Sequence, residues 1–120
     1  MANKRLVMKF GGTSVGSSEG MAQVVDIVSQ TRADWSQVMV IISALSGVTD
    51  LLLKCSQQAV SGEDGVITEA ANYLLDRHSE IAADLISEPT LRESVTQDVK
   101  SHIKEFSNLC NAICVLGEST

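Results

Sequence analysis

The chain has 120 residues and a formal net charge of −6, with 44% hydrophobic, 20% charged and 3% aromatic residues and a single proline. That balance belongs to an ordinary globular protein with one small, aliphatic, helix-rich core. The negative charge argues against a general nucleic-acid binder, and no apolar run approaches the ~20 residues that span a bilayer.

The opening stretch, MANKRLVMKF, has no apolar run followed by a small-residue cleavage site, so a cytoplasmic location is expected. Residues 5–10, RLVMKF, read as a short buried strand, and GGTSVGSS follows as a loop of small residues. Met21, Val24, Val25 and Val28 then fall at helical spacing between Ser18 and Ala33, with Ser17 or Ser18 as N-cap. Residues 38–42, VMVII, are a second strand, and five apolar residues in a row predict burial on both faces, as in a parallel sheet. Strand, helix and strand make a βαβ unit, for which a right-handed crossover is the rule.

A second small-residue loop, SALSGVTD, leads into a helix from about Thr49 to Val60, stopped by Ser61-Gly62. From Ile67 to Leu85, and again from Leu91 to Ile113, apolar residues step by three and four. These are two long amphipathic helices broken at Glu88-Pro89 and expected to form an antiparallel hairpin over about 66–116, whose first duty is to cover the sheet and pack together. Cys55, Cys110 and Cys114 are read as reduced, buried small hydrophobes. No further Cys or His completes a tetrahedral set, so no metal site is expected. His78 and His102 read as partly exposed helical residues.

The loops are where chemistry is expected. Gly11 and Gly16 have the spacing of a P-loop, but Ser17 stands where its lysine should be. FGGTSVGSS also lacks the dinucleotide spacing G-x-G-x-x-G. The nearby lysine, Lys9, lies at the end of the strand, from which it can lean toward a phosphate held by the Gly11 and Gly12 amides. Residues 1–18 carry Lys4, Arg5 and Lys9 and no acid, a cationic entrance suited to a small anion. The second loop repeats the pattern of strand, small residues and helix. Both loops lie at carboxyl ends of strands, where open α/β sheets bind ligands, and both precede helix N-termini. Thr13, Ser14, Ser43, Ser46 and Thr49 add hydroxyls, and the pair suggests two anionic ligands side by side.

KFGGTSVGS together with SALSGVTDLL closely resembles the start of the aspartokinases, in the amino acid kinase family. The resemblance covers essentially residues 1–120 but only the N-terminal part of that family's catalytic domain; most members continue into regulatory ACT domains. It implies the α/β fold class, as the N-terminal portion of an amino acid kinase-like sandwich: a βαβ unit followed by the helical hairpin. It implies transfer of the ATP γ-phosphoryl group, with Mg²⁺, to the side-chain carboxylate of L-aspartate, giving 4-phospho-L-aspartate on the route to lysine, threonine and methionine. On this resemblance Lys9 is the catalytic lysine, and Gly11 and Gly12 surround the phosphates with Thr13 and Ser14 in support. Ser43 and Thr49 contact the aspartate. Such chemistry needs positioning and charge neutralisation rather than a protein nucleophile.

Glu118, in VLGEST, resembles the family's substrate-binding glutamate but is matched instead to a Leu-Gly-Glu stretch upstream of the true motif. The chain alone is expected to be inactive, and a homo-oligomer is expected. The alternatives are another family member acting on glutamate, acetylglutamate or a nucleotide, or a non-catalytic fragment that self-associates.

Overall fold

The computed structural model describes residues 4–117; Glu118 and Thr120 lie outside the described residues. Among the described residues the fold is mixed α/β, with a two-stranded parallel sheet and four α-helices. Two compact units divide between Gly47 and Val48, where the composition alone suggests one small domain with one core.

The first unit runs β1 (Arg5–Phe10), α1 (Ser18–Thr31), a 3-10 turn (Arg32–Asp34) and β2 (Gln37–Ile42). The strands pair in parallel from Arg5↔Gln37 to Phe10↔Ile42. Ser17 caps α1: its hydroxyl accepts from the Gly20 amide at 3.0 Å, leaving Ser18 as the first helical residue. The expected burial of the strands is not found. Met39, Val40, Ile41 and Ile42 are 39–62% exposed, and β1 alternates between exposed and half-buried residues. The reason is the size of the sheet: each strand has one neighbour, so an apolar run suited to a central strand lacks the partners that would bury it.

The second unit is helical: α2 (Val48–Val60), α3 (Gly65–Leu85) and α4 (Pro89–Leu116). Its core joins Cys55 and Ala59 of α2, Ile67 and Ala70 of α3 and Cys110 of α4, with Leu51, Phe106, Ile113 and Cys114 packed around them. The start of α3 thus meets the end of α4, while Leu74 and His78 share a groove with Val99 and Ile103. That reversed order makes α3 and α4 antiparallel. Gly62, at φ +81°, turns the chain out of α2. Pro89 occupies the first turn of α4, where its missing N–H costs nothing. Burial raises the thiols of Cys55 and Cys110, which suits apolar packing. His78 Nδ1 is satisfied by the Leu74 carbonyl at 2.6 Å, and exposed His102 lies 4.0 Å from Glu105.

Candidate functional site

The parallel register determines which loops can meet. Lys9 pairs with Ile41 and Phe10 with Ile42, so the loops after β1 and β2 leave the sheet side by side. The Ser43 amide donates to the Phe10 carbonyl at 3.2 Å, extending the pairing by one step.

The first loop is a tight turn. Ser14 and Val15 amides donate to the Gly11 carbonyl at 3.1 and 3.3 Å, and the Gly16 amide to the Thr13 carbonyl at 3.4 Å. The amides of Gly12 and Thr13 have no acceptor among the described residues. Successive free amides of this kind attract an anion. By contrast, the terminus of α1 is already partly served by Ser17 and carries Glu19 in its first turn. Of the two, the loop presents the less occupied amides.

Two glycines bring the loops into contact. A Cβ on Gly12 would stand 3.0 Å from the Ala44 carbonyl oxygen and 3.2 Å from Ser43 Oγ. A Cβ on Gly16 would stand 2.7 Å from the Gly12 oxygen and 3.1 Å from Ser46 Cβ. Neither approach leaves room for a side chain, so the loops form one surface. Each also buries one apolar residue: Val15 is fully buried and Leu45 is 7% exposed.

The site residues expected from the sequence fall as follows. Lys9, Gly11, Thr13, Ser14 and Ser43 are exposed and Gly12 is half-buried, all at the carboxyl end of the sheet in the first unit. Lys9 is thus not a lysine enclosed in a buried strand; it shares the open face of β1 with Val7. The Ser43 hydroxyl donates to the Ala44 carbonyl at 2.7 Å. Thr49 belongs to the second unit and lies within the first turn of α2, which begins at Val48, so it is not the helix cap. Gly47, at φ +82°, makes the turn before that helix. The expected cationic entrance does not assemble as one group. Lys4 and Arg5 stand at the opposite end of β1 from Lys9, with Arg5 about 13 Å away along a strand rising ~3.3 Å per residue.

Sequence reading named Gly16 for its P-loop spacing but not for its approach to Ser46, and it missed Val15 and Leu45. The signal available was a single apolar residue inside each run of small polar ones. Among the described residues no group of three or more His, Cys, Asp or Glu side chains could hold a metal ion.

Comparison with known proteins adds a family. The model of the amino acid kinase family matches residues 4–118. The chain is 32% identical over 114 residues to the chloroplastic bifunctional aspartokinase/homoserine dehydrogenase 1 of Zea mays, covering 95% of this chain and 12% of that one. It is 33% identical over 82 residues to the aspartate kinase of Pseudomonas fluorescens, covering 68% and 20%. It is 32% identical over 104 residues to the aspartokinase of Chlamydia trachomatis, covering 87% and 22%. The chain thus spans only 12–22% of the length of these three relatives.

Proposed function

The chain belongs to the amino acid kinase family, and on that premise we propose that it is the N-terminal part of an aspartate kinase catalytic domain, with residues 66–116 as its helical hairpin insert. The reaction would form a bond between an aspartate side-chain carboxylate oxygen and the γ-phosphorus of ATP. The bond from that phosphorus to the bridging oxygen breaks, and ADP leaves with the electron pair. Lys9 neutralises charge on the transferring group. Gly11 and Gly12 hold the phosphates through backbone amides, with Thr13 and Ser14 in support. Ser43 and Thr49 face the aspartate. In-line transfer of this kind is served by positioning and electrostatics alone.

The observation that carries the reading is the contact of the two loops at Gly12, since donor and acceptor must meet within bonding reach. The similarity to aspartokinases supports aspartate as the acceptor. A Mg²⁺ ion accompanies the ATP phosphates in this reading. Such an ion is commonly held largely by substrate phosphates, and none of the roles above draws on it. No helix among the described residues is long and apolar enough to cross a membrane, and a cytoplasmic homo-oligomer is the setting this reading assigns.

The test is a coupled ADP-release assay. The 120-residue chain alone should be silent, because the rest of the nucleotide pocket has no candidate in it. Joined to the downstream part of a family catalytic domain, it should release ADP in an aspartate-dependent manner. There Lys9→Ala should lower turnover by more than about tenfold, a threshold of ~1.4 kcal/mol of barrier. A smaller loss removes Lys9 from the chemistry. Thr49→Ala should raise the KM for aspartate more than that for ATP; the reverse ranking would exchange the roles of the loops.

A further inference from the structure

Lys4 and Arg5 are not used by the glycine loops. At their end of the sheet, the Lys4 carbonyl accepts from the Ser36 amide at 3.0 Å, the Ser36 hydroxyl at 2.6 Å and the Gln37 amide at 3.2 Å. These bonds tie the start of β1 to the segment that enters β2. Beside them, wholly within the first unit, is a pocket of about 240 Å³. Val28 of α1 and Val38 and Val40 of β2 line it with Arg32, Trp35 and Ser36.

Its chemistry is mixed in a specific way. The Arg32 side chain is exposed, and no carboxylate among the described residues pairs with it. Trp35 is half-buried and offers an aromatic surface next to branched aliphatic groups. The Ser36 hydroxyl already gives its proton to Lys4, so it can only accept. Arg32 is the charged residue that lines the pocket; Arg5 lies on the opposite face of β1 with Val7, and Asp34 ends the short turn that Arg32 begins. A guanidinium fork matches a carboxylate, and an indole matches a flat apolar ring. An inorganic anion would leave the valines and indole unused, and a neutral ring would leave the guanidinium unused. The volume is below the ~300 Å³ at which drug-sized pockets begin, and so suits a single ring.

We propose that this pocket, lined by Arg32 and Trp35 at the end of the sheet opposite the glycine loops, binds a small aromatic carboxylate. It is independent of the kinase reading.

Trp35 is the chain's single tryptophan, so its fluorescence reports this pocket directly. The chain is titrated with benzoate, with acetate and benzamide as probes lacking the ring and the charge. The expected result is a saturable change in emission with benzoate and none with acetate or benzamide at the same concentrations. Arg32→Gln should weaken benzoate binding at least tenfold, and Arg32→Lys, which keeps charge and loses the fork, should fall between. Circular dichroism identifies any variant that loses its fold, in which case the wild-type probe comparison decides alone. Linear, unsaturable quenching by benzoate, an equal response to benzamide, or a folded Arg32→Gln chain binding within twofold of wild type would overturn the proposal.

Discussion

The two units of the chain solve burial in opposite ways. The helical unit encloses Cys55, Ala59, Ile67, Ala70 and Cys110 in one core drawn from three helices. The βαβ unit leaves most of β2 open and brings its two loops together through glycines. The same kind of sequence signal, a run or stripe of apolar residues, therefore has different outcomes. An amphipathic helix finds its partners a few residues away in the next helix. A strand read as central needs neighbours on both edges and layers on both faces, and a sheet of two strands supplies neither.

The sharpest way to break that comparison is to make the same substitution in both units. Ile67 is 1% exposed and Ile41 is 45% exposed. Ile67→Ala should cost about 2–5 kcal/mol, since it removes transfer energy and leaves a cavity among three helices. Ile41→Ala should change stability by only about 0.5 kcal/mol, as at an ordinary surface position. Urea denaturation followed by helical ellipticity reads both. Comparable losses would mean that β2 is covered in solution, by association through its open sheet, and sedimentation would show it.

A smaller effect separates the loops from the open sheet around them. Nothing lies within 4 Å of a Cβ built on Gly11, whereas one on Gly12 meets the Ala44 oxygen at 3.0 Å. Gly12→Ala should cost about 1–3 kcal/mol by overpacking and shift the amide resonances of Ser43 through Ser46. Gly11→Ala should leave those resonances in place. Equal shifts from both would deny that the loops touch at Gly12.

Much of the fold is legible in the sequence because it is local. The stripe of Met21, Val24 and Val28, the break at Pro89 and the stop at Gly62 each depend on residues a few positions apart, and each element appears near its expected place. Lys9, the glycine pair and Ser43 stand out as a motif from their order along the chain alone. What is not legible is non-local. That Gly16 abuts Ser46 depends on the pairing of Phe10 with Ile42, and no pattern within either loop encodes that register. Lys4 and Arg5 look like companions of Lys9 when charge is counted along the chain, but the strand between them is extended. Thr49 looks like a cap because it is the residue type that caps helices. The positive φ of Gly47 and the helical start at Val48 make Thr49 the second residue of the helix.

The smallest expected effect sharpens the comparison at two helix starts. The α1 cap is the Ser17 hydroxyl, which does not titrate in the accessible range. The α4 cap is the Glu88 carboxylate, which accepts from the Leu91 amide at 2.6 Å and the Thr90 amide at 3.0 Å. The Leu91 bond first and the Thr90 bond next hold this carboxyl below the ordinary glutamate value, with a minor contribution from Arg92. As pH falls, the unfolded chain therefore takes up its proton before the folded one does. The contribution of the cap is complete above the ordinary glutamate range, declines as pH drops through it, and is gone below the lowered folded value. Its loss should fray the first turn of α4 and leave the Ser17 bond intact. An NMR titration should show the Leu91 amide moving with an acid midpoint below that of an unperturbed glutamate, and Glu88→Gln should abolish that step. A Leu91 midpoint at or above the ordinary value, or a step that survives Glu88→Gln, would mean that this carboxylate does not hold the start of α4.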